Sequence, residues 1–300
     1  PAGSVALLGS PMNALAGLAP DVAGTYVVSL LVSDGKVSSS TVTLEIKTGT
    51  VVNGNLMVSQ TWTREQSPYI ISGQVGIPFG VTLTVREGVE VIGSNNRLIV
   101  DGALTVLGNQ VERAKLQDVY IRMNGTSQAR HSLTIDSAEL IGGGIDLERS
   151  SAVGDLTILR SRVALNNPGD KYHVASGCCY RVVIEKNYFV RGGIKFGLSW
   201  DSSSVTIKNN SFTDPIEIRW SELGALTNIS LNTFRGSNPN IILPGPSSAT
   251  AIDAANNYWG TADVDAIRAR IYDKEDNLAA GGYVNYMPFL AAPHPETPTE

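Results

Sequence analysis

The chain carries little charge and almost no cysteine. Only 17% of its 300 residues are Asp, Glu, Lys or Arg, below the roughly 25% of an average soluble domain. The formal net charge of −5 leaves no basic excess to displace counterions from nucleic acid, so we expect no nucleic-acid partner. No apolar run approaches the roughly 18 residues of a membrane-spanning helix, and no membrane insertion is expected. Cys178 and Cys179 are adjacent, so they build no long-range disulfide framework and are either free or joined to each other.

A repeat dominates what is present. Asn187, Asn210, Asn232 and Asn257 each stand two residues before an aromatic residue, and the steps between them are 23, 22 and 25 residues. A period in the low twenties with one short strand per period is typical of a solenoid. We predict that these asparagines form an inward-facing ladder at a corner and that the aromatic residues stack in the core, rather than that they form a row of ligands.

Short apolar segments recur with the same period. In each, the outer two residues are predicted to point inward and the middle residue outward. The segments are Leu133–Ile135, Leu156–Ile158, Val182–Ile184, Val205–Ile207 and Ile229–Leu231. We interpret the outward residues Thr134, Thr157, Val183, Thr206 and Ser230 as solvated sheet surface rather than as an ice-binding array.

The first 47 residues predict a hairpin. Thr25–Asp34 and Ser40–Lys47 alternate as strands, with Gly35-Lys36 as the turn. The segments Pro1–Leu8 and Pro20–Gly35 resemble the second half of a PKD-like immunoglobulin-fold domain, of a kind that serves as a spacer or adhesive module in secreted and surface proteins.

Residues 62–290 resemble the pectate-lyase-like β-helix superfamily. Asn256–Thr261 and Val284–Leu290 are similar to a common C-terminal end of bacterial β-helix domains. The predicted fold is therefore all-β: a right-handed parallel β-helix of roughly eight turns, after a partial Ig-like β-sandwich segment. The predicted domains are 1–47 (PKD/Ig-like), 48–61 (linker), 62–290 (β-helix) and 291–300 (Pro/Thr-rich linker), with a capping helix over Asp263–Tyr272.

The outward charges argue against catalysis on the sheets. If the register is right, Glu185 lies on Lys208 and Lys195 on Glu217, whereas glycoside hydrolases need two facing carboxylates. A slip of one residue would void this argument, because it would turn every side chain to the other face.

Two places remain as candidate sites. The longest interruption of the period, between Val163 and Val182, holds the catalytic candidates Asp170, Lys171 and His173, with Arg191 as a partner. The turn aromatics near it form either a platform for sugar rings or caps over the core. The glycan-binding candidates are Tyr180, Trp200, Asp201, Arg219 and Trp220. Asp273 and Asp276 are weak calcium candidates, and no other cofactor is expected.

The expected function is a non-catalytic adhesive or structural module of a secreted or cell-surface bacterial protein. Its expected partners are an extracellular polysaccharide or cell-surface glycan and the flanking domains of a longer chain. The alternative is a polysaccharide lyase or glycoside hydrolase that acts beside the 166–180 loop.

Overall fold

The computed structural model describes residues 1–124, 130–147, 154–164, 172–176, 180–197, 204–219, 226–236, 239–243, 245 and 250–299. It is all-β, with 50% strand and 3% helix. It forms a parallel β-solenoid of about six turns, fewer than the predicted eight. The last strands, Thr250–Asp253 and Gly282–Asn285, pair in a separate two-stranded parallel sheet.

The strands are short, as a coil of about 23 residues with several corners requires. The N-terminal strands are β1 Leu8–Gly9, β2 Gly17–Leu18, β3 Gly24–Leu30 and β4 Val42–Thr48. The solenoid strands are β5 Thr50–Asn55, β6 Gln60–Trp62, β7 Tyr69–Ile77, β8 Thr82–Val85, β9 Glu90–Ile92, β10 Arg97–Val100, β11 Ala103–Leu107, β12 Ala114–Gln117, β13 Tyr120–Met123, β14 His131–Asp136, β15 Ala138–Ile141, β16 Gly144–Leu147, β17 Gly154–Leu159, β18 Arg162–Ala164, β19 Tyr172–Ser176, β20 Tyr180–Glu185, β21 Tyr188–Phe189, β22 Gly193–Gly197, β23 Ser204–Lys208, β24 Ser211–Phe212, β25 Ile216–Arg219, β26 Leu226–Ser230, β27 Thr233–Phe234, β28 Ile241–Ile242, β29 Thr250–Asp253, β30 Ile271–Tyr272 and β31 Gly282–Asn285.

Three parallel ladders make the walls of the solenoid. Face A is the ladder β6-β8-β11-β14-β17-β20-β23-β26. Face B is the ladder β9-β12-β15-β18-β21-β24-β27. Face C runs from β10 through β13, β16, β19, β22, β25 and β28 to β30, and β7 joins faces B and C at the first coil.

The core is a set of apolar columns between these faces. On face A, Leu104, Leu133, Leu156, Val182 and Val205 follow one another in register, each at most 1% exposed. The column buries apolar side chains from every coil, which is the main stabilising term of such a fold.

The last predicted coil is out of register. Ile229 pairs with Ile207 rather than with Val205, so Asn228 and not Ser230 continues the outward column after Thr206. A slip of two residues keeps the same side chains inward, and alternation alone cannot detect it. The two predicted charge pairs are in register: Glu185 pairs with Lys208, and Lys195 Nζ lies 3.6 Å from Glu217 Oε1.

The corner between faces A and B repeats closely. A residue with positive φ ends face A on six successive coils: Ser137 (53°), Arg160 (48°), Lys186 (56°), Asn209 (54°), Leu231 (58°) and Asn256 (59°). This left-handed conformation turns the chain sharply and is costly for residues other than Gly, Asn and Asp. Each coil therefore changes direction at one residue.

The asparagine column follows directly after this corner. Asn187, Asn210, Asn232 and Asn257 are all fully buried. Asn210 Oδ1 accepts hydrogen bonds from the backbone N–H (2.9 Å) and the side-chain Nδ2 (3.0 Å) of Asn187, and Asn210 Nδ2 donates to the Ile184 carbonyl (2.8 Å). The aromatic residues behind them stack, with ring centroids 4.7 Å apart for Phe189–Phe212 and 4.8 Å for Phe234–Trp259.

The N-terminal segment forms the predicted hairpin. Strands β3 and β4 pair antiparallel from Gly24↔Thr48 to Leu30↔Val42. Tyr26 is buried, and its hydroxyl donates to Asp21 (2.7 Å) and accepts from the Asp21 and Val22 N–H groups. Hydrogen bonds from Ser4, from the Val5 N–H and from Tyr26 hold the pKa of the Asp21 carboxyl well below its ordinary value.

The C-terminal helix is shorter than predicted. Helix α1 covers Val264–Arg268, and Asp263 caps it by accepting from the Ala266 N–H at 2.7 Å. Ile271 and Tyr272 instead pair with Ile241 and Ile242 and extend face C. Within the described part of the chain, no helix has the length and apolar character needed to cross a membrane.

Candidate functional site: a basic groove at the coil corners

Five of the eleven predicted site residues lie outside the described part of the chain. These are Asp170, Lys171, Trp200, Asp201 and Trp220, and the adjacent Cys178 and Cys179 also lie outside it. Tyr180 begins β20 opposite Gly154, and Arg219 ends β25 opposite Gly197. Only the backbone of these two residues is described.

His173 lies at an irregular point of face C. Tyr172 pairs with Gly193 and Val174 with Ile194, so His173 is the extra residue of a β-bulge. Bulges occur often beside functional sites because they re-aim side chains. Arg191 is exposed and precedes β22, the strand that pairs with the bulged one. The structure thus brings the backbones of His173 and Arg191 to adjacent coils.

A basic groove lies at the corner between faces A and B. A cavity of about 590 Å³ opens there. We call it the corner groove and define it by six residues of the solenoid. They are Gln110, Arg113, Arg160, Arg162, Lys186 and Tyr188.

Two adjacent columns of residues build this groove. The first is the corner column, in which Arg113, Ser137, Arg160 and Lys186 precede residues that are in register on successive coils. The second is the outward column of face B, where Arg162 pairs with Tyr188 while their neighbours Val163 and Phe189 are fully buried. Since coils rise by about 4.8 Å, cations recur along the groove at multiples of that step.

The groove keeps a positive excess. Arg160 pairs with Asp136, and Arg162 Nη1 lies 3.0 Å from Glu139 Oε1. Arg113 donates to the carbonyls of Arg160 (2.7 Å) and Ala138 (3.3 Å). Because carbonyl groups carry no net charge, these contacts do not neutralise the guanidinium. The side chains of Arg160 and Lys186 remain 48% and 42% exposed. Guanidinium groups so placed suit carboxylate and sulfate ligands.

The C-terminal segment lies along one end of the groove. Residues 291–299, predicted as a Pro/Thr-rich linker, place Glu296 and Pro298 in the wall of the cavity. Lys186 Nζ lies 3.0 Å from Glu296 Oε2, and its hydrogen bond and charge hold the pKa of the Glu296 carboxyl below its ordinary value. The Glu296 carboxylate of the chain itself thus forms an ion pair with one cation of the groove, Lys186.

Tyr188 gives the groove an aromatic wall. Arg235 lies over its ring at 5.0 Å from the centroid and also donates to the Thr299 carbonyl at 2.9 Å. Cation–π contact of this kind holds the half-buried ring in place.

The calcium candidates are engaged by an arginine. Arg268 Nη2 lies 2.8 Å from Asp273 Oδ1 and 2.9 Å from Asp276 Oδ2. Asp273 Oδ2 also accepts from the Val284 N–H at 2.9 Å. Among the described residues, no group of three or more His, Cys, Asp or Glu is arranged to hold a metal ion.

The outward surface of face A carries a longer threonine column than the sequence pattern suggested. Thr61, Thr84, Thr105, Thr134 and Thr157 follow one another in register before Val183 interrupts them. Threonine suits a half-exposed pleated surface. Beside it, Asp155 is bound by both Arg130 nitrogens at 2.7 and 2.9 Å, and hydrogen bonds from Arg130 lower the pKa of Asp155.

The sequence reasoning missed the corner groove, although a signal was present. Arg160, Lys186 and Asn209 stand one residue before Ser161, Asn187 and Asn210 of the inward column. Basic residues before that column on two successive coils mark a cationic corner. The part played by Glu296 had no such signal, because it comes from a segment 110 residues further along the chain.

Comparison of the chain with protein-family models, with curated proteins and with solved structures found no match.

Proposed function

We propose that this chain is a non-catalytic binding module of a bacterial secreted or cell-surface protein, and that its ligand is an anionic glycan held in the corner groove. In this proposal the solenoid is a right-handed β-helix of the pectate-lyase-like type, and the N-terminal hairpin belongs to a PKD-like Ig domain. Adhesion or structural anchoring would follow from glycan binding.

The observation that carries the proposal is the repetition of cations along one cavity. Arg160 and Lys186 occupy the corner position on two successive coils, and Arg113 precedes the first residue of face B two coils before Arg160. A polymer with a negative group on each repeat can contact several of them at once. The cavity volume of about 590 Å³ lies within the roughly 300–1,000 Å³ of ordinary ligand pockets.

The register supports a non-catalytic role. Two outward carboxylates lie against cations, Glu217 against Lys195 and Asp155 against Arg130, and Glu185 is in strand register with Lys208. Glycoside hydrolysis needs two carboxyl groups about 5–9.5 Å apart across a substrate. Carboxylates already neutralised by cations are poorly suited to that pairing.

The test is binding of polygalacturonate, dextran sulfate and neutral dextran to the whole chain by isothermal titration calorimetry. Arg160→Asn removes a cation but keeps a residue that tolerates the left-handed corner, as Asn209 and Asn256 do. We expect affinity for the anionic polymers to fall about tenfold in the double variant Arg160→Asn/Arg162→Gln, in line with two lost charge-assisted contacts.

The matched control is Arg97→Asn. Arg97 is an exposed arginine that lines a separate cavity of about 240 Å³. We expect this change to leave the affinity within about twofold, as rim charges do. Equal loss in the control, or no binding of either anionic polymer by the unchanged protein, would contradict the proposal.

One observation favours the alternative, a polysaccharide lyase or glycoside hydrolase. The bulge at His173 and the exposed Arg191 lie on adjacent coils of face C. A lyase would use such residues as a base and as a charge stabiliser. Release of reducing ends from polygalacturonate that disappears in His173→Ala, but persists in Arg160→Asn, would establish this activity and reject the non-catalytic proposal.

A further inference from the structure

The corner groove continues beneath the C-terminal segment. Beyond Lys186 the corner column goes on to Asn209 and Leu231, and beyond Tyr188 the outward column of face B goes on to Ser211 and Thr233. The same two columns therefore form both the open groove and the stretch that the segment covers. We call this second stretch the covered groove.

The segment 291–299 touches the covered groove at successive coils. Glu296 contacts Lys186 and accepts from Asn209 Nδ2 at 3.4 Å. Thr297 is buried, and its hydroxyl donates to the Leu231 carbonyl at 2.8 Å. Together with the bond from Arg235 to Thr299, these contacts trace the segment across three coils.

Three polar atoms of these columns make no hydrogen bond within the described residues. Ser211 and Thr233 occupy outward positions, yet they are only 0% and 4% exposed. Ser211 Oγ, Thr233 Oγ1 and Asn209 Oδ1 are buried without a hydrogen-bond partner among the described residues. Native proteins satisfy almost all such atoms, because an unmet donor or acceptor opposes burial. Asn209 contacts Glu296, and Ser211 and Thr233 continue the outward column of face B beyond Tyr188, so three unmet polar atoms lie along the groove's continuation.

We propose that the covered groove is a second half of the glycan-binding site, and that the C-terminal segment is a displaceable strap that occupies it until a long anionic glycan takes its place. The inference rests on the proposed function of the corner groove. Glu296 is the internal counter-ion of Lys186, and a ligand acid group replaces it. Ligand hydroxyls then form hydrogen bonds with the hydroxyls of Ser211 and Thr233 and with the side-chain amide of Asn209.

The strap contacts are suited to exchange. The Lys186–Glu296 pair is 42% and 58% exposed, and exposed ion pairs stabilise little and weaken with salt. A polymer that already contacts Arg113, Arg160 and Arg162 reaches Lys186 next, one coil further along. Displacement therefore depends on ligand length, since a short oligosaccharide fills the open groove without reaching the strap.

The experiment combines binding with hydrogen exchange on the whole chain, with long-chain dextran sulfate as the probe. Glu296→Gln removes the internal counter-ion, and we expect at least a threefold gain in affinity. We also expect the Thr297 amide, which donates to the His294 carbonyl at 2.9 Å, to lose protection when the probe binds. Glu45→Gln is the control, because it changes the net charge equally at an exposed position of the N-terminal hairpin.

A second variant tests the unsatisfied hydroxyls. Ser211→Ala/Thr233→Val removes both while keeping similar shapes, so we expect the strap to close more firmly. Protection of residues 291–299 should rise at least threefold, and affinity for the long probe should fall. A variant that only loosened the fold would lower protection instead.

The outcomes separate the two proposals. If the unchanged protein binds the probe while the strap stays protected and Glu296→Gln binds no better, the strap inference is wrong and the proposed function stands. If only Glu296→Gln binds, the strap blocks the site and the inference is supported. If neither binds, both proposals fail.

Discussion

At the scale of the residue, three asparagines of the inward column, Asn187, Asn210 and Asn232, each join three coils. Asn210 accepts from Asn187 on the preceding coil and donates to Asn232 Oδ1 on the following one at 3.0 Å. It also donates to the Ile184 carbonyl, which the corner leaves without a ladder partner. An amide is the only uncharged side chain of this size that both donates twice and accepts.

We expect Asn210→Ala to destabilise the solenoid by about 2–4 kcal/mol, since it leaves several buried donors and acceptors unmet at about 1–3 kcal/mol each. The midpoint of thermal unfolding measures this loss. Asn228→Ala is the matched control, because Asn228 is exposed on face A and, within the described part of the chain, its side chain makes one hydrogen bond, which it accepts from Ser230. An equal loss in both variants would show that the buried ladder is not what the substitution removes.

At the scale of the element, the corner between faces A and B restricts the backbone conformation more than the strands do. Six residues adopt the left-handed conformation there, and their types range from Asn to Leu. The backbone geometry is therefore imposed by the stacked coils and not by the local sequence. This freedom of side chain is what lets the corner carry arginine and lysine on some coils.

Leu231 is the least suited residue of this corner, with φ of 58°. We expect Leu231→Asn to raise the free energy of unfolding by about 0.5–1 kcal/mol, because Asn adopts this conformation at lower cost. Chemical denaturation measures the change. Leu159→Asn, at a half-buried position of extended strand, should instead destabilise the chain. Stabilisation by both changes, or by neither, would contradict this account of the corner.

The sequence predicted the periodic part of the fold well. The strand pattern, the hairpin and the pairing of Glu185 with Lys208 follow from alternation and spacing. The register of Ile229 was wrong by two residues, because alternation repeats every two residues. The corner groove was missed because its wall combines the corner column with Glu296, and nothing local connects the C-terminal segment to Lys186.

At the scale of the whole molecule, the N-terminal hairpin contrasts with the solenoid. One face of the hairpin is apolar throughout, with the cross-strand pairs Tyr26–Ile46, Val28–Leu44 and Leu30–Val42. Leu30, Val42 and Leu44 are each more than 60% exposed. A two-stranded hairpin is marginally stable alone, so such a face gains from cover.

We expect Leu30→Thr/Val42→Thr/Leu44→Thr to lower the binding of an apolar fluorescent dye by about half, because it removes the contiguous patch while keeping strand-forming residues. Val5→Thr/Leu7→Thr/Met12→Thr is the control, since these side chains are 82–95% exposed but lie outside that sheet face. A control effect as large as the test effect would mean that the hairpin face is not the dye site.

The C-terminal segment has one more consequence at this scale. A competitor tethered to the same chain acts at an effective concentration that dilution cannot lower, commonly in the millimolar range. A free ligand must therefore compete against that fixed effective concentration for each cation that the C-terminal segment contacts. Under the proposed strap mechanism, multivalent contact along Arg113, Arg160 and Lys186 does so, whereas a single acidic sugar does not. The chain would then select dense, polymeric surfaces over their soluble breakdown products.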